Sequence, residues 1–330
     1  MKISIGKLRG LQEIADEGGF LTMCAIDHRG ALQRALNEEN PASVTYQDMV
    51  DFKLDLCQAV RSSVGAVLLD PRYGAAQAIT GAVLPGHVGL MVSLEKTGYS
   101  GESAARLSEV LPDWSVRKAK RMGASAVKLL IYFRPDLKDV AEKQLDLVAK
   151  LADDCLEEDV PLLVEPVSYP VKADNNQFAA KKPELVVETA RQVTELPIDI
   201  LKAEFPADIS YEKDEDKLLD YCQELDRASK LPWVLLSAGV GFDLFKKQVE
   251  IASRAGASGF LAGRALWQEG VKIKSREERM DFFKTTSKSR LDKLAGLVRE
   301  YGKPWYSRYG STKGEFDSVA ENWCADYPER

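Results

Sequence analysis

The sequence predicts a single (β/α)8 barrel, the TIM-barrel fold, and three observations lead to that prediction. Eight short apolar runs recur along the 330 residues, amphipathic segments separate them, and a polar residue or a Gly turn follows each run. Runs rich in Val, Ile and Leu without alternation are typical of parallel strands buried on both faces. Strands that alternate with helices form right-handed βαβ units, and eight such units favour a closed barrel.

The eight predicted strands are LTMCAI (21–26), AVLL (66–69), VGLMV (88–92), SAVKLLIY (125–132), PLLVE (161–165), IDILKA (198–203), WVLL (233–236) and SGFLA (258–262). Helical segments include 45–64, with Thr45 as the expected N-cap, and 115–123 and 244–256, which end on Gly. The whole chain, 1–330, is predicted to be one domain, with a leading helix and a C-terminal helical extension. An open doubly wound sheet is the alternative, but its GxGxxG turn is missing from the sequence.

Composition and charge argue against some classes of binding partner. The net charge of −6 argues against nucleic acid or an anionic membrane as the main partner. No run reaches the roughly 18 apolar residues of a membrane helix, and the N-terminal residues do not resemble a secretion signal. The five cysteines form no CxxC motif, which indicates reduced thiols. We therefore expect a cytoplasmic protein, and a homodimer is the working hypothesis for its assembly.

Polar residues follow the predicted strands at the rim where a (β/α)8 barrel holds its active site. In strand order they are Asp27, His28 and Arg29; Asp70 and Arg72; Glu95 and Lys96; Lys128; Glu165; Lys202 and Glu204; Ser237, Ala238 and Gly239; and Gly263 and Arg264. Helix caps and loop residues would explain about half of this set, but they do not explain lysines inside apolar strands.

Lys128 and Lys202 are the two lysines inside apolar strands. Burying an ammonium group costs several kcal/mol unless it is paired or neutralised. Such a lysine either forms a structural salt bridge or acts as a neutral amine that attacks a carbonyl and forms an iminium. Glu165, Glu204 and Asp27 are the carboxylates expected nearby to move protons. The residues alone leave the choice between Lys128 and Lys202 open.

The loops after strands 7 and 8 are the usual phosphate site of this fold. Ser237, Ala238 and Gly239 form one loop, and Gly263 and Arg264 form the other. Glycines let backbone N–H groups approach an anion, a following helix N-terminus favours it, and Arg264 adds a two-pronged donor. We therefore expect a phosphorylated small molecule to bind there.

A metal site is a weaker interpretation. The chain has only His28 and His87, whereas a catalytic zinc site of the aldolase type would need about three His ligands. A Mg²⁺ site of Asp27, Asp70 and Glu165 is conceivable but leaves the strand lysines unexplained. We therefore expect no metal and no cofactor, and His28 is expected to line the pocket.

The motifs together resemble one family, the class I tagatose-1,6-bisphosphate aldolases. The matching segments are AIDHRG (25–30), LLDPRYG (68–74), EKTGY (95–99), WSVRKAKRMGASAVKLLIYF (114–133), EPVSY (165–169), DNN (174–176), ILKAEFP (200–206), LSAGV (236–240) and LAGRALW (261–267). The resemblance covers about residues 5 to 305 in order.

The resemblance implies a metal-independent barrel enzyme of the tagatose 6-phosphate pathway. It would cleave a ketose bisphosphate to dihydroxyacetone phosphate and glyceraldehyde 3-phosphate. By position in the motifs, Lys202 matches the Schiff-base lysine and Glu165 the acid/base residue, while Asp27 and Lys128 match further catalytic residues. The phosphate loops of the family match Ser237, Ala238, Gly239, Gly263 and Arg264.

Two departures bear on the substrate. His28 and Pro166 replace the residues that the family usually has there, and both border the pocket. A related branch is similar to the aldolases that cleave 6-deoxy-6-sulfofructose 1-phosphate, and a far anion pocket built from Arg29, Arg72 or Lys96 would decide between the two. A third alternative is a barrel without catalysis that senses sugar phosphates.

Overall fold

Eight parallel strands close into a barrel in chain order in the computed structural model, which confirms the predicted fold. The structure describes residues 3–171, 175–312, 316 and 321–327. The strands are β1 (Leu21–Ala25), β2 (Ala66–Leu69), β3 (Gly89–Ser93), β4 (Ala126–Tyr132), β5 (Leu162–Val167), β6 (Ile200–Ala203), β7 (Trp233–Leu236) and β8 (Gly259–Ala262). Each pairs in parallel with the next, and β8 pairs with β1.

Helices follow every strand and also precede the first. They are α1 (Ile5–Ile14), α2 (Gly30–Leu36), α3 (Tyr46–Val60), α4 (Ala75–Thr80), α5 (Val116–Arg121), α6 (Lys138–Glu157), α7 (Asn175–Val193), α8 (Glu215–Ala228), α9 (Phe242–Ala255), α10 (Arg264–Trp267), α11 (Arg276–Phe282), α12 (Lys288–Tyr301) and α13 (Trp323–Asp326). Short 3-10 turns span Pro41–Ser43, Gln268–Lys272 and Trp305–Tyr309, and a π-helical turn at Phe283–Ser287 joins α11 to α12. No helix in the described part of the chain is both long and apolar enough to cross a membrane.

The helix ends follow the local sequence signals. Thr45 caps α3 through a reciprocal capping box, in which its hydroxyl accepts from the Asp48 N–H and the Asp48 carboxylate accepts from the Thr45 N–H. Gly256 follows the last residue of α9 with φ of +124°, a conformation that glycine adopts readily. The short helices α2 and α4 were not predicted, because six or seven residues show too little periodicity.

Two apolar layers explain why the strands do not alternate with polar residues. Inward side chains fill the barrel, and they include Met23, Leu68, Met91, Leu163 and Ile200. The residues between them face the surrounding helices and form a second, larger cluster. Both faces of the sheet are therefore buried, as expected for a parallel barrel.

The N-terminal end of the barrel is closed by segments from both sides of the strand region. Leu11 and Ile14 of α1 belong to the inner cluster, and so does Trp305, which comes after α12. The Lys7 ammonium also forms a buried ion pair with Asp199 at 2.9 Å, beside the start of β6. The opposite end, where the strands finish, is left for the polar residues of the rim.

Candidate active site

Alternate residues of each strand point into the barrel, and this alternation brings both strand lysines to its mouth. Ala126 on β4 and Ile200 on β6 belong to the inner apolar cluster. Lys128 and Lys202 lie two residues further along the same strands and so point inward at the next level. They are 1% and 4% exposed. The mouth therefore holds two buried amines above an apolar floor.

Glu165 on β5 joins these two lysines. Its Oε1 atom lies 2.8 Å from Lys202 Nζ and its Oε2 atom 2.9 Å from Lys128 Nζ. The bridge follows from the strand order, because β5 lies between β4 and β6. Burial raises the pKa of Glu165, but the two ammonium groups outweigh burial and hold it below its ordinary value. Glu165 is thus an ionised carboxylate in contact with both amines.

Lys128 contacts three carboxylates, which separates it from Lys202. Its Nζ atom lies 2.8 Å from Asp27 Oδ2, 2.8 Å from Glu95 Oε1 and 2.9 Å from Glu165 Oε2. Burial lowers the pKa of Lys128, yet the three carboxylates raise it well above the ordinary value. Lys128 is therefore a fixed cation and a poor nucleophile. Among the described residues, Glu165 is the one carboxylate within ion-pair distance of Lys202.

Asp27, one of the predicted site residues, is held ionised by the same network. Burial raises its pKa, but the ammonium groups of Lys128 and Lys202 hold the pKa of Asp27 well below its ordinary value. One of its oxygens, Oδ2, contacts Lys128, and the other lies 3.7 Å from His28 Nδ1. The structure thus brings Asp27, Lys128, Glu165 and Lys202 together in one charged cluster.

Glu95 completes this cluster, a role that was not predicted for it. Its Oε1 atom contacts Lys128, and its Oε2 atom accepts a hydrogen bond from Leu130 N at 3.1 Å. Arg29 Nη2 donates to the Glu95 carbonyl oxygen at 2.6 Å and lies 3.8 Å from Oε1. Glu95 therefore fixes both Lys128 and Arg29. The signal available in the sequence was its position two residues after β3.

His28 lies beside the cluster as a neutral ring. Burial lowers the pKa of His28 to about 4; Asp27 opposes this shift and Arg264 adds to it. Its ring meets Trp267 edge-on, with centroids 5.1 Å apart. A Cβ atom on Gly263 would lie 2.9 Å from His28 Cε1, so the glycine makes room for the ring. His28 Nδ1 is buried and has no hydrogen-bond partner among the described residues.

Lys53 of α3 contacts the backbone on both sides of Asp27 and forms an ion pair with Asp70. Lys53 Nζ lies 2.6 Å from Asp70 Oδ2, and both side chains are fully buried. Lys53 also donates to the carbonyl oxygens of Ile26 and His28, which flank Asp27. Asp70, considered above as a magnesium ligand, is thus paired with Lys53. No three His, Cys, Asp or Glu side chains of the described residues are grouped to hold a metal ion.

The glycine-rich loops that follow β7 and β8 contact each other. Gly263 N donates to Ser237 Oγ at 3.3 Å. Ala238 and Gly239 have φ of +47° and +76°, and a Cβ atom on Gly239 would lie 2.6 Å from Arg264 Cζ. The guanidinium of Arg264 therefore lies directly against the Gly239 backbone, and α9 begins three residues later. Among the described residues no carboxylate forms an ion pair with Arg264, so its charge is available to an anion.

Other rim residues lie apart from the cluster. Glu204 Oε2 accepts from Ser168 N at 2.7 Å, and its Oε1 atom lies 3.8 Å from Lys182 Nζ, so Glu204 orders the loop after β5 and forms no ion pair with Lys128 or Lys202. Lys96 pairs with Glu109 at 3.1 Å, with both side chains about half exposed. Asp174 of the DNN motif lies outside the described residues.

Comparison with known proteins identifies relatives across almost the whole chain. A family model described as DeoC/LacD family aldolase matches residues 21–269. The tagatose 1,6-diphosphate aldolase 1 of Enterococcus faecalis is 32% identical over 320 residues, which cover 91% of this chain and 96% of that protein. The tagatose 1,6-diphosphate aldolase of Lactococcus lactis is 30% identical over 92% of this chain and 99% of that protein.

Solved structures agree with the fold. A Schiff-base-forming fructose-1,6-bisphosphate aldolase, solved for its reaction intermediates, superposes with a TM-score of 0.56 at 23% identity. The match covers 85% of this chain and 98% of that structure. At this identity the likeness supports the barrel architecture.

Proposed function

Because this chain belongs to the DeoC/LacD family of aldolases, we propose that it is a class I enzyme that cleaves a ketose 1,6-bisphosphate through a Schiff base on Lys202. The proposed substrate is tagatose 1,6-bisphosphate, and the proposed products are dihydroxyacetone phosphate and glyceraldehyde 3-phosphate. The observation that carries the proposal is the buried contact of 2.8 Å between Lys202 Nζ and Glu165 Oε1. It pairs a nucleophilic amine with a proton acceptor, as aldol cleavage requires.

The reaction begins at Lys202. Lys202 passes a proton to Glu165, and the resulting neutral amine attacks the C2 carbonyl to form a carbinolamine. Glu165 returns that proton to the carbinolamine hydroxyl, which leaves as water and gives an iminium. Glu165 then takes the proton from the C4 hydroxyl, the C3–C4 bond breaks, and its electron pair moves onto the iminium nitrogen as an enamine. Glyceraldehyde 3-phosphate leaves. Glu165 gives its proton to C3 of the enamine, and hydrolysis of the resulting iminium releases dihydroxyacetone phosphate and restores Lys202.

Lys128 and Asp27 act around this pair as fixed charges. The ammonium of Lys128 contacts Glu165 at 2.9 Å, so it stabilises the carboxylate form that accepts the proton. We assign Asp27 to a substrate hydroxyl near C3 or C4, because its Oδ2 atom contacts Lys128 and its Oδ1 atom is left to accept from a hydroxyl. The three donors of Lys128 are engaged by carboxylates, so its role is to position them. Neither residue takes part in the covalent step.

The C1 phosphate is assigned to the loops after β7 and β8. Ser237, Ala238 and Gly239 present backbone N–H groups near the N-terminus of α9, and Gly263 precedes the short helix α10. Arg264 adds a guanidinium without a carboxylate partner among the described residues. These groups can hold a dianion while Lys202 attacks the adjacent carbonyl carbon. Arg29 and His28 are assigned to the substrate wall between this site and Asp27.

Borohydride trapping tests the nucleophile. Incubation with dihydroxyacetone phosphate and borohydride is expected to reduce the iminium to a stable secondary amine on the peptide that contains Lys202. Lys202→Met is expected to remove the label, whereas Lys182→Met, at a lysine of α7 that pairs with Glu204, is the matched control and keeps it. A label on Lys128, or a label that persists in Lys202→Met, would show that the nucleophile is wrongly assigned.

A substrate panel tests the sugar and separates catalysis from sensing. The rate of triose phosphate release is measured with tagatose, fructose and related 1,6-bisphosphates by a coupled assay. Tagatose 1,6-bisphosphate is expected to be cleaved with the largest kcat/KM. Binding of these sugars without release of triose phosphate would instead identify a non-catalytic sensor. The homodimer and the cytoplasmic location stay predictions, which size-exclusion chromatography and cell fractionation can test.

A further inference from the structure

The loop after β3 forms a small hairpin over the ends of β4 and β5. Residues Glu95 and Val110 pair in antiparallel fashion, and so do Ser100 and Leu107. The hairpin, residues 95–110, is held against the rim by a hydrogen bond from Tyr132 N to Ser108 Oγ at 3.1 Å. Its first residue is the Glu95 that contacts Lys128. The hairpin is thus attached to the charged cluster at Glu95 and packs against the end of β4 at Ser108.

Arg106 on this hairpin lies among three tyrosine rings. Its Cζ atom is 4.7 Å from the ring centroids of Tyr99 and Tyr169 and 5.6 Å from that of Tyr132. Its backbone N–H also donates to the Tyr169 hydroxyl at 3.2 Å. Aromatic faces hold a guanidinium by cation–π attraction and leave the N–H groups in its plane free for other acceptors. Arg106 is therefore held in place without using most of its donors.

The side chain of Arg106 makes one hydrogen bond to the described residues, from Nε to the Ser103 carbonyl at 3.0 Å. Its two terminal nitrogens have no partner among those residues. The neighbouring cations differ in this respect. Arg134 forms a two-pronged pair with Asp136 at 2.8 and 2.7 Å. Arg29 and Lys96 are engaged by Glu95 and Glu109, as described above. The terminal N–H groups of Arg106 thus form a two-pronged fork that is available to an acceptor.

Strand order places this fork opposite the phosphate loops. In a closed ring of eight strands in chain order, β3 and β4 lie across the mouth from β7 and β8. A substrate with one phosphate at Arg264 and its second carbon at Lys202 must extend away from β7 and β8. The tyrosine at the end of β4, Tyr132, has both Arg106 and Lys128 among its charged neighbours. Arg106 therefore lies beside the end of β4, on the side of the barrel mouth across from β7 and β8.

We propose that Arg106, held by Tyr99, Tyr132 and Tyr169, binds the second anion of the substrate, the tetrahedral oxyanion on C6. The inference rests on the proposed function and deepens it, because it makes the hairpin a determinant of substrate class. A guanidinium fork matches a phosphate or a sulfonate by two parallel hydrogen bonds. The residues expected from the sequence for this role were Arg29, Arg72 and Lys96, and the contacts of Arg29 and Lys96 favour Arg106 over both.

The test compares substrates that differ only in the second anion. kcat/KM is measured for fructose 1,6-bisphosphate, fructose 1-phosphate and 6-deoxy-6-sulfofructose 1-phosphate in the wild type, Arg106→Gln and Arg106→Lys. For Arg106→Gln we expect roughly a 10- to 100-fold loss with the two substrates that carry a second anion, the range for a charged hydrogen bond, and less than about a 3-fold loss with the monophosphate. Arg106→Lys is expected to fall between, since an ammonium keeps the charge but lacks the fork.

Two further variants and one independent measurement control for loss of charge, for a competing residue and for misfolding. Arg117→Gln removes the same charge from α5, where Arg117 pairs with Glu158, and is expected to leave all three values unchanged. Trapping of Arg106→Gln by borohydride with dihydroxyacetone phosphate, which lacks the second anion, is expected to match the wild type and shows that the variant is folded. A selective loss in Lys96→Gln but not in Arg106→Gln would overturn the proposal.

Different outcomes identify a wrong second-anion site and a wrong aldolase assignment. If the wild type is trapped and cleaves sugars, but Arg106→Gln lowers kcat/KM equally for all three substrates, the aldolase assignment stands and the second-anion site is wrong. A wild type that cleaves the monophosphate as fast as the bisphosphate also shows that the second-anion site is wrong. If the wild type is neither trapped nor releases triose phosphate, both the function and the site are wrong.

Discussion

The ammonium of Lys128 lies 2.8 Å from the Oε1 atom of Glu95, and this contact ties the hairpin after β3 to the centre of the site. Lys128 meets Asp27 and Glu165 in the same way, so three carboxylates surround one buried cation. The cation keeps its charge because of these partners. Glu95 therefore contacts both Lys128 and Arg29, and we expect it to fix their positions.

Glu95→Gln is predicted to lower kcat about tenfold, or about 1.4 kcal/mol, while KM changes little. The amide can accept a hydrogen bond from Lys128 but removes one of its three negative partners, so Lys128 shifts relative to Glu165. Steady-state kinetics check the split between kcat and KM. Glu109→Gln is the matched control on the same hairpin, because Glu109 pairs with the exposed Lys96. Equal effects of the two substitutions would contradict a role through Lys128.

Gly239→Ala is predicted to raise KM at least about tenfold with kcat less affected. Its φ of +76° disfavours a side chain, at a cost of roughly 1–2 kcal/mol, and the new methyl group would meet Arg264 Cζ at 2.6 Å. The displaced guanidinium would then bind the C1 phosphate poorly. Gly241→Ala is the control, since no atom lies within 4 Å of its added Cβ. KM is measured for both variants, and an unchanged KM in Gly239→Ala would argue against this phosphate site.

His28→Gln is predicted to make the protein less sensitive to mild acid. The pKa of His28 is lowered by burial to about 4 in the folded protein from an ordinary 6.5. As pH falls below 6.5 the unfolded chain takes up a proton that the folded protein refuses, so stability is lost progressively down to about pH 4. The full effect is at most about 3 kcal/mol. At pH 7 and above, His28 makes no such contribution.

Urea denaturation of the wild type and of His28→Gln at several values between pH 7.5 and pH 4 measures this effect. The difference between the two free energies of unfolding cancels the contribution of the carboxylates away from His28, whose lowered pKa values affect both proteins equally, and leaves that of His28 with its neighbour Asp27. We expect the wild type to lose stability relative to the variant as the pH falls. Two parallel pH curves would show that His28 is not buried in its neutral form.

The cysteines are predicted to differ sharply in reactivity. Burial raises the pKa of Cys57 to about 12 and raises the pKa of Cys24, Cys155 and Cys222 further, whereas Cys324 is exposed. The native protein should therefore react with a thiol reagent at one site, and all five cysteines of the chain should react after unfolding in guanidinium. Mass spectrometry of the labelled peptides identifies the site. Rapid native labelling of a buried cysteine would contradict the fold around it.

Much of the fold was predictable, because the strands of a parallel barrel are buried on both faces. This burial produces uninterrupted apolar runs, and every predicted run overlaps a strand with ends that agree within two residues. Lys128, Glu165 and Lys202 were predictable for a related reason. A charged residue inside such a run is costly, so it stands out from its neighbours.

The partners of these residues were not predictable in the same way. Lys53 lies on an ordinary amphipathic helix, and nothing local shows that it reaches under Asp27. Glu95 looks like any acidic residue after a strand until β3 and β4 are placed side by side. Arg106 depends on Tyr169, 63 residues away. Pairings between distant elements are set by the tertiary structure, and a single sequence does not contain them as a local pattern.

The closure of the barrel by α1 and Trp305 has a practical consequence. Both segments lie at the end where the strands begin, and the lysines lie at the end where they finish. A surface linkage or a fused domain attached near either segment would therefore hold the molecule with its catalytic opening outward. Immobilised or tethered forms of the enzyme should keep the turnover of the free protein, whereas attachment through the 95–110 hairpin should obstruct it.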